Sequence, residues 1–408
     1  MEFKQTQLDN GLMIVAEVNA RAASMAAGFF VRTGSRDESE NVAGVSHFLE
    51  HMVFKGTPRR SALDVNREFD ELGAHYNAFT SEENTVYFGA VLPEFQGRLL
   101  DLLCDLLRPA LRKEDFDVEK NVILDEIARC QDMPRFRLYE KLMAAHFSPH
   151  PLGNSVLGTT ESIGALRPED MRAYFDRRYS PGNLTLVGVG RLDFEALAAK
   201  AAEACSAWQP ADVQRQTARA PAAARRTIVA DGSVAREHVG LASPAPSAQD
   251  DERYAAMLAS AILGDVTGSR LFYALVDPAI ADEATMAYDA LDGSGAFLTF
   301  LSAEPARAAQ ALRIARDELS KFQDEGPTEA ELTAAKNKIA SNATVKGEVP
   351  MGRLTAVGYD WVYRRQYVPL ARQIDRLFAV TAAEVLAVAQ RYDLGAATIV
   401  ALGPLEEL

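Results

Sequence analysis

The pattern of predicted elements places this chain in the α+β class, as two similar domains that are each a mostly antiparallel sheet with helices packed on one face. Three observations predict this. A strand-strand-helix-helix-strand-strand-helix order runs through the first half and recurs in the second. Between the two runs, Trp208 to Arg226 loses periodicity among Gln-Pro and Ala-Pro pairs and scattered charges, as a linker does. The length of 408 residues, 48% hydrophobic and 25% charged, suffices for two globular domains of about 200 residues each. The domains are therefore expected at 1–207 and 227–408, joined by a linker at 208–226.

The elements follow in order. Met1 to Leu12 enters directly into a strand, and Leu12 to Val18 and Ser24 to Arg32 are apolar runs bounded by Asn10-Gly11 and Gly34-Ser35, as strands are. A polar loop, Ser35 to Asn41, delivers the chain to a short helix, and Ala62 to Leu72 has helical periodicity that stops at Gly73. Ala74 to Thr80 and Thr85 to Leu92 read as a hairpin about Ser81-Glu-Glu-Asn84. Amphipathic helices follow at Glu94–Leu107 and from Lys113 to about Ala128, then helix at 161–165 and 168–177, a strand at 183–190 and an Ala-rich helix at 193–205. The second half repeats the order. Strands are predicted at 227–230 and 237–242, helices at 250–263 and 269–275, and strands at 285–289 and 296–302. Helices at 305–322, 329–343 and 381–389 precede a last strand at 397–402.

Composition excludes several classes. A net charge of −14 argues against a nucleic-acid partner and mildly favours cationic peptides over anionic ligands. No run of 18 apolar residues occurs, so no membrane span is expected. The N-terminus lacks the charged and apolar regions of a signal peptide, which leaves a soluble chain in the cytoplasm or, if a leader has been trimmed, in the periplasm. Cys104, Cys130 and Cys205 have neither metal-ligand spacing nor an even count, and read as free thiols.

The most informative stretch is His47-Phe-Leu-Glu-His51, within Asn41 to Thr57. It reads as a helix capped by Asn41 and stopped by Gly56-Thr57-Pro58. Residues four apart share a helix face, so His47 and His51 project side by side with Glu50 at the rim. Two neutral imidazoles so placed can bind Zn²⁺, and a neighbouring carboxylate can take a proton from the attacking water. The pattern is the His-Glu-x-x-His of metalloproteases read backwards. With 6 histidines in 408 residues, chance would give it in fewer than about one such chain in fifty.

Such a site is one ligand short, because catalytic zinc takes three protein ligands and leaves a fourth position open. On the helix from Lys113, a stripe of Glu119, Val122, Ile123, Glu126 and Cys130 mixes carboxylates with apolar residues. A carboxylate facing a core must be paired or metal-bound. Glu126 is the candidate third ligand, and Glu119, two turns earlier, a supporting carboxylate. His75, His146, His150 and His238 read as surface or core histidines.

With these residues in view, the sequence resembles the pitrilysin-type zinc metallopeptidases, the inverzincins, and among them the half-length members similar to mitochondrial processing peptidase and its bacterial relatives. The likeness is carried by Leu8-Asp-Asn-Gly-Leu12, Asn41–Thr57, Asn77-Ala-Phe-Thr-Ser81 and Glu119-Lys-Asn-Val-Ile-Leu-Asp-Glu126, with weaker matches at Gly158–Glu161 and Ser269–Phe272. The resemblance implies one Zn²⁺ per chain held by His47, His51 and Glu126, with Glu50 as general base and Glu119 in support. It also implies that the strand of Asn77, Ala78 and Phe79 is an edge onto which an extended peptide is added. The implied activity is a zinc-dependent endopeptidase acting on peptides or unfolded polypeptides in a chamber between two paired chains.

The resemblance also exposes a departure. The family's second domain carries an Arg and a Tyr that reach the substrate carbonyl, and here the corresponding positions hold Val276 and Glu283, which cannot donate to an oxyanion. A heterodimer follows as the expectation, with a related second subunit supplying Arg and Tyr. The alternatives are a homodimer using Arg270 or Tyr273, and a non-catalytic structural or assembly subunit, against which the intact metal motif argues.

Overall fold

The computed structural model describes residues 1–221, 224–395 and 397–408. In the first half the strands are β1 (Glu2–Gln7), β2 (Met13–Val18), β3 (Met25–Val31), β4 (His75–Thr80), β5 (Thr85–Val91) and β6 (Leu184–Gly190). The helices of that half are α1 (Val45–Val53), α2 (Ala62–Glu71), α3 (Gln96–Leu106), α4 (Lys113–Gln131), α5 (Pro134–Phe147), α6 (Thr160–Ala165), α7 (Pro168–Arg178) and α8 (Phe194–Cys205). The second half contributes β7 (Arg226–Ala230), β8 (Glu237–Pro244), β9 (Glu283–Ala290), β10 (Gly295–Ala303) and β11 (Thr398–Gly403). Its helices are α9 (Arg253–Gly264), α10 (Pro305–Glu325), α11 (Glu329–Gly347), α12 (Pro350–Arg364), α13 (Leu370–Ala379) and α14 (Ala382–Arg391), with a π-helical turn at Phe272–Val276.

The sheets repeat one topology. The first has the order β1-β2-β6-β3-β5-β4 and the second β7-β11-β8-β10-β9, so the second matches the first without β1. The directions agree as well: β2 with β6 and β7 with β11 are the parallel pairs, and the other neighbours are antiparallel. The duplicated α+β architecture read from the sequence is what the structure has.

The compact units depart from the contiguous halves 1–207 and 227–408 by an exchange of one helix each way. One unit comprises residues 1–127, 154–216 and 344–368, and the other 128–153, 217–343 and 369–408. The stretch 208–226 is divided between them. Its Arg215 side chain, 2% exposed, pairs with Asp37 at 2.5 Å, so 208–216 is fastened to its unit by a buried charge.

The reason for the exchange lies in the second face of each sheet. Helices of each half pack on one face of their own sheet: Leu99 of α3 lies against Gly89, and Leu197 of α8 against Gly188. The other face of the first sheet is covered by α12, whose Leu354, Val357 and Trp361 join Val15, Phe30, Val86 and Val187 in one apolar cluster. On the second sheet α5 does the same, with Leu138, Leu142 and Phe147 against Ala242, Leu298 and Val400. Burial on both faces explains why every residue of β3 and β6 is buried, which a sheet half open to water would not show.

Both exchanged helices begin with Pro in the first turn and carry Arg as their fourth residue. Arg353 of α12 donates twice to Glu17 of β2, at 2.9 and 2.5 Å, and Tyr367 adds a third bond to that carboxylate. Arg137 of α5 pairs at 2.7 Å with Asp231, just past β7. Since β7 matches β2 in the sheet order, the same kind of ion pair recurs in the same place.

Candidate metal centre

The site is built on α1. Its first turn has no partner for its amides within the helix, and Glu38 supplies one. Glu38 accepts from the Gly44 amide at 2.6 Å and the Ser46 amide at 2.7 Å. Burial raises its pKa to about 7 against the pull of those amides. The cap residue is Gly44, in the left-handed region at φ 89°, and the helix starts at Val45. Asn41, expected from sequence as the N-cap, sits instead in a short 3-10 turn before it. An alanine methyl at Gly44 would lie 2.6 Å from the Leu157 carbonyl, so glycine is needed for space as well as for φ.

The helix buries Val45, Phe48, Leu49, Met52 and Val53 in the core, and His47, also buried, shares the remaining face with Glu50 and His51. Helix α4 crosses this region, with Phe116 stacked on Phe48 at 4.7 Å between centroids. Along α4, Phe116, Glu119, Ile123 and Ile127 form the buried stripe. Val122, expected to share it, is 45% exposed and belongs to the outer face.

Two carboxylates of α4 meet the two imidazoles of α1. Glu126 Oε2 lies 3.8 Å from His47 Nε2 and 3.6 Å from His51 Nε2. The ligand atoms of His47, His51 and Glu126 are all within 4.8 Å of one another, and among the described residues this is the group of three or more His, Cys, Asp or Glu side chains so gathered. Donors at about 2.0–2.2 Å from one tetrahedral ion stand about 3.4 Å apart, so the two separations between Glu126 and the imidazoles come within a few tenths of an ångström of what a zinc ion requires.

Electrostatics favour the same use. Burial, with His51 beside it, drops the His47 pKa to about 3, so its ring is neutral and offers a lone pair. Glu119 Oε1 takes His51 Nδ1–H at 2.8 Å, which fixes the tautomer that leaves Nε2 free, and Lys55 pairs with the other Glu119 oxygen at 2.5 Å. Burial opposes charge on both partners, but the contact prevails: His51 is held above its usual range and Glu119 below. Glu50 beside them is raised by burial, against the pull of a hydrogen bond from Thr80 at 2.7 Å. A half-buried carboxylate of raised basicity suits proton acceptance.

The strand singled out by sequence is β4, the last in its sheet. Ala78 is buried and Asn77 exposed. Phe79 packs among the residues under α12, 6.2 Å from Phe88, so its ring is on the sheet face away from α1. Sequence reasoning missed Thr80, Lys55 and Glu38. The signal for Lys55 was its spacing of four from His51; Thr80 and Glu38 offered none.

Elsewhere, His146 is 2% exposed under the second sheet, 3.4 Å from Thr398 Oγ1, with its pKa lowered to about 4 by burial. His150 Nε2 contacts the Ala218 carbonyl at 3.2 Å. Glu283 opens β9 and pairs with Arg135 at 2.8 Å, Val276 closes the π-helical turn, and Arg270 is committed to Glu331 at 2.7 Å. Tyr273 is 63% exposed.

Comparison with known proteins decides the family. Residues 13–160 match the model for insulinase, peptidase family M16, and residues 165–339 match the peptidase M16 inactive domain. This chain belongs to peptidase family M16. It is 31% identical over 394 residues to an "uncharacterized zinc protease" of Mycobacterium tuberculosis, covering 95% of this chain and 90% of that protein. It is 27% identical to the "uncharacterized zinc protease YmxG" of Bacillus subtilis, covering 95% of each. In fold it is similar to a protease from Helicobacter pylori, with a TM-score of 0.92, 21% identity and 99% of each chain covered. A second neighbour, titled as the peptidase M16 inactive domain from Pseudomonas fluorescens, gives 0.88 at 20% identity, covering 99% of this chain and 98% of that one. No helix among the described residues is long and apolar enough to cross a membrane.

Proposed function

We propose that this M16 chain is a zinc-dependent endopeptidase for peptides or unfolded polypeptides, with one zinc per chain held by His47, His51 and Glu126. The observation that carries it is the convergence of those three side chains from α1 and α4, with the Glu50 carboxylate one residue from His51. Bound zinc would supply Lewis acidity to the scissile carbonyl and acidify the attacking water. Glu50 takes that water's proton and returns it to the leaving amine. Glu119 holds His51 in its ligating tautomer, and the main chain of β4 aligns the substrate as an added strand at Asn77, Ala78 and Phe79.

A related second subunit is proposed to supply the donors that Val276 and Glu283 cannot. The engagement of Arg270 with Glu331 and Gly326 supports this, because it removes one local substitute. The test is hydrolysis of a quenched unstructured peptide by the zinc-loaded chain, alone and with a co-purified partner. Glu50→Gln is expected to keep zinc and lose turnover about 10²–10⁴-fold. Turnover near the parent level in that variant would remove Glu50 as the base, and full zinc occupancy in His51→Ala would refute the ligand set.

A further inference from the structure

Thr80 belongs both to the open sheet edge and to the metal centre. β4 is bonded to β5 on one side only among the described residues. In the turn that joins them, Ser81 N–H donates to the Asn84 carbonyl at 2.8 Å, which makes 81 and 84 a bonded pair. In an antiparallel ladder, bonded pairs alternate with pairs whose main-chain groups face away from each other. The register Thr80↔Thr85 and Ala78↔Tyr87 therefore turns the N–H and C=O of Thr80 and Ala78 toward the open edge. A second contact agrees with this: the Ala78 N–H is taken up locally by Asn77 Oδ1 at 2.9 Å.

The side chain of Thr80 points inward, where its hydroxyl donates to Glu50 Oε2 at 2.7 Å. The Thr85 hydroxyl stands 3.5 Å behind it and is itself bonded to the Thr33 carbonyl at 3.0 Å. One residue thus offers its main chain outward and its hydroxyl to the carboxylate that acts as base.

We propose that Thr80 is a positioning residue that couples strand addition to proton transfer. An extended peptide pairs with the outward groups of Ala78 and Thr80, its carbonyl replacing the Asn77 amide at the Ala78 N–H. That pairing fixes the Thr80 backbone, and the hydroxyl then holds the Glu50 carboxylate in the orientation that accepts the water's proton. This rests on the peptidase reading above and adds to it a reason why an unpaired or loosely bound peptide would be cut slowly.

The test compares the zinc-loaded parent, Thr80→Val, Thr80→Ser and Glu50→Gln on a short internally quenched peptide, with zinc measured in each. Thr80→Val keeps the shape and the main chain, so it is expected to lower kcat about tenfold while KM stays within about twofold. Thr80→Ser restores most of kcat. Parent-level kcat in Thr80→Val, or a loss confined to KM, overturns the coupling. A zinc-loaded parent that is inactive both alone and with its co-purified partner would instead sink the peptidase reading, whereas an active Glu50→Gln would remove Glu50 as the base and the coupling with it. A measurement without turnover covers the binding step: hydrogen exchange of residues 76–80 in Glu50→Gln should slow when the peptide is added, and unchanged exchange overturns strand addition.

Discussion

The two compact units share a five-strand order with matching strand directions, yet among the described residues only the first gathers three side chains that could hold a metal ion. In the first, α1 lies between β3 and β4 and presents His47, Glu50 and His51. In the second, α9 occupies the matching place between β8 and β9 and buries Ala256, Leu258, Ala259 and Ile262 instead, with no histidine in it. Their N-termini differ too. Glu38 holds two amides of α1, whereas α9 follows Glu252 with no side-chain cap. The comparison teaches that sheet order, helix exchange and ion-paired docking belong to the fold, and that the candidate metal centre is an addition to one copy of it.

The sharpest way to break that comparison is to count metal. The intact chain is expected to carry one zinc, and His51→Ala none, by elemental analysis of dialysed protein. Two ions per chain would mean that the second unit binds metal after all, and one retained in His51→Ala would refute the ligand set.

The next effect concerns the exchanged helices. Arg353 and Glu17 have side chains 4% and 1% exposed, so Arg353→Met strands a buried carboxylate with Tyr367 as its remaining donor. The expected loss is about 3–5 kcal/mol in urea unfolding. The matching pair in the second unit, Arg137 with Asp231, is 19% and 23% exposed, and water can take over there. Arg137→Met should therefore cost clearly less. Equal losses would show that packing of the exchanged helices, and not burial of their ion pairs, sets the cost.

A pH series sharpens the difference in capping. Glu38 keeps its proton in the folded chain up to about 7, against about 4.5 for a glutamate in water. At low pH both states are protonated and stability is whole. As pH rises from about 4.5 through about 7, the unfolded chain ionises first and stability falls. Glu38→Gln removes this contribution, so the stability difference between parent and variant should drift by about 3 kcal/mol across that window. A constant difference would mean that Glu38 folds as the carboxylate, with the amides outweighing burial.

Much of this was legible in the sequence because local pattern and tertiary role coincide. Strands such as Met13–Val18 and Thr85–Val91 are apolar runs between turn residues, and α2 ends at the Gly73 that stops its periodicity. His47, His51 and Glu126 could be singled out because spacing alone puts two of them on one face and zinc demands a third. The exchanged helices α5 and α12 were not read, nor was α13. Proline in the first turn and a stripe such as Leu138, Leu142 and His146 marked α5. Its partner surface, however, lies in the other half of the chain, and no local pattern reports that. Thr80 was invisible for a similar reason. A threonine ending a strand is ordinary until the fold sets it against a glutamate thirty residues earlier.

The smallest expected effects test how closely each exchanged helix lies on its sheet. A methyl at Gly358 of α12 would stand 2.2–2.5 Å from ring carbons of Phe30, which is fully buried and cannot swing aside. A methyl at Gly240 of β8 would meet Leu142 at 2.9 Å and Leu138 at 3.4 Å, which are ends of flexible side chains on α5. Alanine is the better helix former by about 1 kcal/mol, and this offsets part of the clash at 358. Overpacking of about 1–3 kcal/mol should still leave Gly358→Ala destabilised, with Gly240→Ala nearer to neutral, in paired urea titrations. If Gly240→Ala proved the costlier, α5 would be held more rigidly than α12, and the buried Arg353–Glu17 pair would not be what fixes the tighter of the two dockings.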